Sequence, residues 1–427
     1  MNQLSSSSEI TSLSQLPRLL SGALLEALKD TPAICLLGAR QTGKTTLTKS
    51  LEKDRTYISF DNSTFLNIAR QDPSGFVQGL PERVTLDEVQ RIPELMPAIK
   101  ESIDNNRVPG RFILTGSANL LLLPEVQESL AGRVEVAYLQ PLAEQEKHNV
   151  RLSLLAKLIS NQITPAIKPQ SNITDSIAKA VITGGYPEPN TRTESRARQW
   201  HKQYLSAIIQ RDVKDIADIR DENELLRLIQ LMALRTGGLL NISNLSKDLG
   251  LQRETIDKYL VILERLFLIR RLPAWHKNQS KRLIKTPKIH IVDSGLACAL
   301  SNLKMRDWLK LSNEFGAVLE SFVVQQLICQ SGWVEHEQDT ELRFSHYRDK
   351  DQVEVDLVIE EGNKVWGVEV KKATSIQAKD GAGLAKLANL CGKDWQGGML
   401  MYTGNSCLPL VQAPNTFAVP INALWQE

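Results

Sequence analysis

Short apolar runs alternate with amphipathic helical stretches over the first third of the chain. Strands that alternate with helices predict a parallel sheet with helices on both of its faces. A first amphipathic helix, in PRLLSGALLEALKD, follows a polar, Ser-rich leader of residues 1–16. We therefore expect an α/β core over residues 17–145. The apolar runs are AICLLG (33–38), YISFDN (57–62), RVTLDE (83–88), RFILTGS (111–117) and VEVAYL (134–139).

The pattern becomes helical over residues 146–237, where GGYP at 184–187 is the main interruption, and it predicts a helical lid or connector. Residues 238–294 change character again. They predict a short helix, a turn at Gly250, a longer helix with apolar residues at helical spacing, and a strand. This is the order of a winged helix-turn-helix. Residues 295–427 begin with a helix containing GAVLESFVVQQLI and continue into a hairpin and further short elements.

The composition is that of an ordinary globular protein, with 42% hydrophobic and 23% charged residues. A formal net charge of +2 argues against a protein whose whole surface binds nucleic acid, but it leaves room for a local basic patch. The five cysteines show no C-x-x-C spacing, which argues against a zinc site. Because the chain has no signal-peptide pattern and no apolar run long enough for a membrane span, we expect a soluble, cytoplasmic protein without a membrane partner.

The strand AICLLG leads into GARQTGKT, which matches the phosphate-binding pattern G-x-x-x-x-G-K-[ST] and opens a helix. Gly38 and Gly43 permit a tight loop whose backbone N–H groups face phosphates at the helix N-terminus. Lys44 is expected to reach the β and γ phosphates. Thr45 should ligate Mg²⁺ and Thr46 should approach the α-phosphate. The loop predicts that the chain binds ATP and Mg²⁺ as cofactors.

Two acids and two hydroxyl groups end the strands that follow the phosphate-binding loop. An Asp such as Asp87 can hold Mg²⁺ at a strand end, and the adjacent Glu88 can polarise an attacking water. The alternative for Glu88 is a helix-capping acid. Thr115 and Ser117 end the strand RFILTGS and could sense the γ-phosphate or orient water. Their alternative is a strand-end turn in which Ser117 caps the next helix.

The segment from Arg270 to Lys288, RRLPAWHKNQSKRLIKTPK, carries seven Lys or Arg residues and no acid. After a helix-turn-helix, such a segment predicts a wing that binds the phosphates of DNA. The alternatives are a solvated basic loop or a contact surface for another protein domain, since winged helices also serve protein contacts.

The hairpin VEVDLVIEEGNKVWGVEVKK, residues 353–372, gathers several charged side chains. With EEGN as the turn, Glu354 would oppose Glu369, Asp356 would lie diagonally from it, and the large apolar residues would share the other face. Opposed carboxylates repel unless a cation lies between them, and Mg²⁺ prefers such oxygen ligands. Lys371 could then activate water against a phosphodiester. The alternative is a half-buried hairpin with a charged outer face.

The motifs GARQTGKT, TLDEVQ, ILTGS, SLAGR (129–133), GGYP and GLACAL, together with the hairpin, resemble in order the archaeal-type AAA+ ATPases that end in a C-terminal domain of unknown function. The resemblance extends over nearly the whole chain. It implies that Arg40, Gln41 and Thr42 belong to the nucleotide loop. It also makes Arg133 or Arg211 a candidate for an arginine on the γ-phosphate, in cis or in trans. The alternative for each arginine is a structural ion pair.

The hairpin is also similar to the PD-(D/E)XK nuclease pattern. Asp356 and Glu369-x-Lys371 match its hairpin residues, and Glu320 in GAVLESF matches its helical acid. The resemblance implies a restriction-endonuclease-like C-terminal α/β domain. Asp356, Glu369 and Glu320 would hold a second Mg²⁺, and Lys371 would serve nuclease chemistry.

Together these features predict a multidomain α/β protein with a P-loop AAA+ parallel-sheet core, a helical lid, a winged helix-turn-helix and an endonuclease-like domain. We expect an ATPase that couples its nucleotide state to the winged-helix and nuclease-like parts, acting on DNA, as a homo-oligomer or with a protein partner. The first alternative is a nucleotide-dependent signalling or scaffold protein whose C-terminal fold does not cut. The second is a nuclease that is only regulated by ATP.

Overall fold

The computed structural model describes residues 16–118, 132–168, 173–216, 221–277 and 286–426. Nearly all of the predicted leader lies outside these residues. So do the first three residues of SLAGR and the middle of the basic segment, residues 278–285.

The N-terminal part of the chain is a five-stranded parallel sheet in the order β2-β3-β4-β1-β5, which confirms the predicted parallel core. Cys35 and Leu37 of β1 pack into the apolar cluster of α3 and α5, while Ile34 and Leu36 pack on the other face with α1 and α2. The elements are α1 (Ser21–Ala27), β1 (Ala33–Leu37), α2 (Lys44–Leu51), β2 (Thr56–Ser59), α3 (Ser63–Gln71), α4 (Pro73–Gln78), β3 (Val84–Asp87), α5 (Leu95–Asn105), β4 (Phe112–Gly116) and β5 (Val134–Tyr138).

The middle of the chain is helical, apart from one two-stranded antiparallel sheet. Gly250 ends α11 with φ +69°, which is the left-handed geometry that a turn between two helices requires. The two helices and the strand of the predicted winged helix-turn-helix therefore occur, while its class as a DNA-binding fold stays a prediction. The elements are α6 (Glu144–Lys147), α7 (Leu154–Ile159), α8 (Thr174–Thr183), α9 (Glu194–Ile216), α10 (Glu222–Leu234), α11 (Ile242–Leu249), α12 (Arg253–Arg265), β6 (Ile269–Leu272), β7 (Lys288–Ile291) and α13 (Ser294–Leu300).

The C-terminal part is a six-stranded mixed sheet in the order β12-β13-β11-β10-β9-β8. Strand β10 is central, because it pairs antiparallel with β9 and parallel with β11. Helix α14 packs on one face of the sheet and α15 on the other. The elements are α14 (Ser312–Glu337), β8 (Arg343–Arg348), β9 (Glu354–Glu361), β10 (Lys364–Lys371), α15 (Ala382–Cys391), β11 (Trp395–Tyr402), β12 (Leu408–Pro409) and β13 (Thr416–Pro420).

The hairpin of β9 and β10 differs from the predicted one by two residues in register. Its turn is short, because Glu361 already pairs with Lys364 and Gly362 adopts φ +57° between them. Leu357 consequently pairs with Val368 and not with Trp366. The predicted opposition of the two glutamates, residues 354 and 369, is therefore wrong. A shift of two residues leaves each side chain on its own face, since the side-chain period of a strand is two.

The expectation of a half-buried hairpin with all large apolar residues on one face is also wrong. Trp366 and Val368 pack in the cluster that includes α14, whereas Val358 and Val365 pack with Leu384 of α15. Because β10 is flanked by strands and covered on both faces, Asp356, Glu360 and Glu369 of this hairpin are buried, whereas Glu354 and Glu361 are partly exposed.

One apolar cluster extends from the middle helices into the C-terminal sheet. It includes Ile209 of α9, Leu263 of α12, Val323 of α14 and Val368 of β10. A shared close-packed core transmits displacements of one element to its neighbours. No helix of the described residues is long and apolar enough to cross a membrane.

Candidate nucleotide site and C-terminal carboxylate cluster

The phosphate-binding loop connects β1 to α2 and needs glycine at two positions. A Cβ on Gly38 would lie 2.2 Å from the carbonyl oxygen of Leu139, so the loop can pass this backbone only without a side chain. Gly43 has φ +98°, a conformation that L side chains rarely adopt. Gln41 has φ +62° in the same loop. The local geometry is thus the tight strand-to-helix turn that the motif predicts.

Lys44 opens α2 and lies buried beneath the loop. Its Nζ donates to the carbonyl oxygens of Gly38 at 2.8 Å and Ala39 at 3.0 Å. No carboxylate of the described residues lies within ion-pair distance of this ammonium group. Burial lowers the pKa of Lys44 from 10.5 to about 8, against the attraction of Glu88 and Asp87. A buried cation without a direct counter-anion fits a bound phosphate.

The acids at the end of β3 and the hydroxyl groups at the end of β4 meet, as parallel neighbouring strands require. Thr115 donates its hydroxyl to Asp87. Ser117 donates to Glu88 at 2.9 Å, and Gln90 also donates to Glu88. Glu88 makes no capping bond to the short helical turn that follows it. Its φ of +60° is a strained conformation for a residue with a side chain, and such strain concentrates at functional sites.

The predicted Mg²⁺ ligands are brought together by Tyr57, a residue that the sequence analysis missed. Its hydroxyl donates to Asp87 and is also hydrogen-bonded to Thr45. The carboxylate and hydroxyl oxygens of these two residues are ligands that Mg²⁺ prefers, so Thr45 and Asp87 fit the metal of a nucleotide complex. Tyr57 sits in β2, and only the neighbouring position of β2 and β3 in the sheet places it here.

A cavity of about 920 Å³ lies over the phosphate-binding loop. Gln41 and Thr46 line it, whereas Thr42 is fully buried and donates to the carbonyl oxygen of Ala39. Residues outside the predicted loop complete the cavity, among them Leu16, Pro17, Arg18, Glu88, Pro187, Glu188 and Trp200.

Arg18 is the main loop contact that the sequence analysis did not find. Its Nη1 donates to the carbonyl oxygen of Thr42 at 2.6 Å, and its Nη2 donates to that of Gln140 at 2.8 Å. Its Nε donates to Glu146 at 3.1 Å. Arg18 precedes α1, and no sequence spacing relates it to a loop that begins twenty residues later.

Helix α9 holds the phosphate-binding loop from the helical side. Tyr204 donates its hydroxyl to the carbonyl oxygen of Arg40 at 3.0 Å and also hydrogen-bonds Tyr186 of GGYP. Asp212 lies 3.0 Å from the Nε of Arg40. Trp200 stacks on Tyr204 with ring centroids 4.9 Å apart. The loop is therefore connected to the helical middle region by polar contacts of one helix.

The GGYP motif forms a joint between three parts of the chain. Gly185 donates its N–H to Asp293 at 2.6 Å, and its carbonyl accepts from the N–H of Leu142 at 2.7 Å. A Cβ on Gly184, which has φ +74°, would lie 2.4 Å from the Asp293 carboxylate. Asp293 also caps α13, the GLACAL helix. The double glycine thus allows the close approach of these backbones.

Both candidate arginines for the γ-phosphate form ion pairs. Arg133 pairs with Asp104 at 2.5 Å, and Arg211 pairs with Asp61 at 2.6 Å. These pairs agree with the structural alternative for each residue. An arginine that acts on the γ-phosphate stays a prediction.

The described members of the basic segment contact protein groups. Arg270 is buried and donates to Gln140 at 3.1 Å, and burial lowers its pKa to about 10. Arg271 pairs with Glu264 of α12, and Lys277 donates to a backbone carbonyl of α15 at 3.2 Å. Lys288 is 1% exposed. These four side chains do not form an exposed basic wing.

Lys288 reaches the carboxylates that the hairpin motif singled out. Its Nζ lies 2.6 Å from Glu320 and 3.0 Å from Asp356, and it also contacts Glu354. Burial alone would lower the pKa of Lys288, but the attraction of these three acids outweighs burial and raises it. Lys288 was predicted only as the end of the basic segment, and Glu354 only as the glutamate opposite Glu369. We call Lys288, Glu320, Glu354 and Asp356 the carboxylate cluster.

The Glu-x-Lys part of the motif lies next to this cluster. Lys371 pairs with Glu369 at 2.8 Å. Burial raises the pKa of Glu369 to about 7, although Lys371 opposes the rise. Within the described residues, no group of three or more His, Cys, Asp or Glu side chains is placed to hold a metal ion. The second Mg²⁺ site stays a prediction.

A phosphate-binding loop after β1, acids after β3 and hydroxyl groups after β4 of one parallel sheet define the core of a P-loop nucleotide-binding ATPase. Residues 30–147 match the family model described as an AAA domain. This part of the chain is therefore similar to ATPase domains of the AAA class. Residues 174–307 and 315–424 match two families described as domains of unknown function, DUF8612 and DUF4143.

Similar proteins occur in several bacteria. Uncharacterized proteins of Mycobacterium tuberculosis and Mycobacterium bovis are each 28% identical over 355 residues, covering 82% of this chain and 73% of theirs. An uncharacterized protein of Haemophilus influenzae is 26% identical over 298 residues, covering 63% of this chain and 69% of its own. Among solved structures, the Walker-type ATPase of Pyrococcus abyssi aligns with a TM-score of 0.40 and 16% identity, over 66% of this chain and 94% of that one.

Proposed function

We propose that this protein hydrolyses ATP and uses its nucleotide state to shift the helical middle region, and with it the C-terminal sheet. The main support is the contact between α9 and the phosphate-binding loop. Tyr204 of α9 donates a hydrogen bond to the backbone carbonyl of Arg40, and Asp212 of α9 forms an ion pair with the Arg40 side chain.

The residues of the nucleotide site have distinct roles in hydrolysis. Lys44 would neutralise phosphate charge, and Thr45 with Asp87 would hold Mg²⁺, which would offset further phosphate charge. Glu88 accepts a proton from the attacking water, while Ser117 and its neighbour Gln90 hold the Glu88 carboxylate in place.

The route from this site to the rest of the chain is short. A phosphate that draws Lys44 away from the loop carbonyls changes the loop that α9 contacts. Helix α9 shares its apolar core with α12, α14 and β10, so its displacement reaches the C-terminal sheet.

We favour a function in which this nucleotide-dependent displacement controls contact with a protein partner, as in a nucleotide-dependent signalling or scaffold protein. We call the partner that responds to the displacement the output. The support is that the described basic residues between 270 and 288 contact this chain's own groups. DNA is the second candidate. It rests on the sequence of the segment, which has seven basic residues and no acid, including three that lie outside the described residues.

Oligomerisation belongs to the same proposal. Arg133 or Arg211 of a second copy would have to leave its ion pair with Asp104 or Asp61 to stabilise γ-phosphate charge across an interface. We therefore expect ATP turnover per chain to rise with protein concentration.

Phosphate release measured with and without duplex DNA separates the two outputs. An unchanged rate supports the protein-contact output, and a rate that rises with DNA supports the DNA output. Asp212→Asn tests the coupling itself, with Asp175→Asn on the exposed face of α8 as a matched control. We expect Asp212→Asn to reduce the difference in protease resistance between the nucleotide-free and ATP-bound protein. An undiminished difference would contradict the coupling.

A further inference from the structure

The carboxylate cluster already contains a cation that the chain itself supplies. Lys288 comes from β7, Glu320 from α14, and Glu354 and Asp356 from β9. The cluster therefore joins three elements that are distant in sequence. It brings together the end of the basic segment, the helical acid and the first hairpin strand.

The ammonium group of Lys288 contacts three carboxylates. It donates hydrogen bonds to Glu320 at 2.6 Å and Asp356 at 3.0 Å and forms a third ion pair with Glu354. Glu354 receives further positive charge from Arg348 at 3.5 Å. Burying a lysine is unfavourable unless its charge is paired, and here the pairing is complete.

A divalent metal ion does not fit beside this lysine. Of the three acids assigned to the second Mg²⁺ by resemblance, Glu320 and Asp356 contact Lys288, and Glu369 pairs with Lys371. The other carboxylate oxygen of Asp356 accepts the N–H of Val370 at 2.9 Å. Mg²⁺ requires oxygen ligands at about 2.0–2.1 Å and would place its charge against the ammonium.

We propose that Lys288 is the resident cation of the carboxylate cluster, in the place where the PD-(D/E)XK pattern would hold a metal ion. The C-terminal sheet then lacks a catalytic metal and does not cut nucleic acid. The ion pairs of Lys288 instead connect β7 to α14 and β9, and they hold the end of the basic segment against the C-terminal sheet. This proposal is independent of the proposed ATPase function.

Mn²⁺ binding to the nucleotide-free full-length protein tests the proposal. Unbound Mn²⁺ is counted by electron paramagnetic resonance in the wild type, Lys288→Met, Asp356→Asn and the double variant. We expect the wild type and Asp356→Asn to bind equally. Lys288→Met, which keeps the length of the side chain but removes its charge, should gain one Mn²⁺ per chain and lose it again in the double variant. Lys277→Met, in the same segment, should match the wild type.

Two results would overturn the proposal. The first is wild-type Mn²⁺ binding that Asp356→Asn removes. The second is a folded Lys288→Met variant that gains no Mn²⁺. If Lys288→Met does not fold, the comparison of the wild type with Asp356→Asn still decides, and Glu320→Gln provides the same comparison by an independent substitution.

Discussion

Replacing Lys44 by methionine should stabilise the nucleotide-free protein while it removes nucleotide binding. The ammonium group is buried against backbone carbonyls, and burial holds its pKa near 8, compared with its ordinary 10.5. Folding therefore buries a charged group in a site that disfavours its charge until a phosphate binds. Methionine has a similar length and no charge, so it removes this cost.

The size of the effect follows from the two pKa values. A fall from 10.5 to about 8 corresponds to about 3 kcal/mol at neutral pH, at about 1.36 kcal/mol for each pKa unit. The substitution also removes two hydrogen bonds to Gly38 and Ala39, which contribute about 1 kcal/mol each. We expect a net gain of about 1 kcal/mol in the free energy of unfolding at pH 7.

The sign of the pH dependence is specific. Between pH 8 and 10.5 the folded wild type binds fewer protons at Lys44 than the unfolded chain does, so wild-type stability rises with pH. The cost of the charged lysine is fully present below pH 8 and fades as pH approaches 10.5. The advantage of Lys44→Met should therefore disappear toward pH 10.

Urea unfolding followed by circular dichroism at pH 7 and pH 10 checks this expectation, with exposed Lys53→Met as the control. Excess ATP and Mg²⁺ should reverse the order, because a ligand at 100 times its Kd stabilises the wild type by about 2.7 kcal/mol. The reasoning is refuted if Lys44→Met is less stable than the wild type at pH 7, or if the difference between them does not change with pH.

Three further predictions, one of them with a control substitution, test other parts of the structure. Glu88→Gln should keep ATP binding but lower phosphate release at least about 100-fold, since a general base contributes about 10²–10⁴; normal turnover would show that another group polarises the water. Gly184→Ala should lower the free energy of unfolding by more than about 1 kcal/mol, because of its positive φ and its approach to Asp293. Gly316→Ala, in a helix with open space around it, should be neutral or stabilising, and equal melting temperatures for the two variants would contradict the steric argument. Tyr204→Phe removes one hydrogen bond to the loop and should therefore raise the ATP concentration for half-maximal turnover about fivefold. An unchanged concentration would show that α9 does not contribute to nucleotide binding.

Much of the ATPase core could be predicted because its signals are local. Each apolar run of the core became a strand of the parallel sheet. Asp87 and Glu88, like Thr115 and Ser117, were predicted at strand ends, and the structure brings these four residues together because parallel strands end at one edge of the sheet.

The hairpin register is a feature that the local sequence pattern did not predict. Alternation correctly predicted two strands around Gly362, but it is insensitive to a shift by two residues, since the faces are unchanged. The choice between a four-residue and a two-residue turn lay in the backbone of Gly362, whose positive φ closes the shorter turn. The burial of the two hairpin faces came from α14 and α15, and β11 pairs with the edge of β10.

The sequence by itself determined the phosphate-binding loop and the acids that follow it, because turn chemistry and strand alternation act between residues close in the chain. Only the tertiary structure decided the partners of the buried charges. Lys288 belonged by sequence to a basic segment suited to DNA, yet its ammonium group contacts acids 32 and 68 residues away. The physical reason is that a buried charge must be neutralised by whichever opposite charges packing brings within hydrogen-bond distance, and sequence spacing carries no record of that distance.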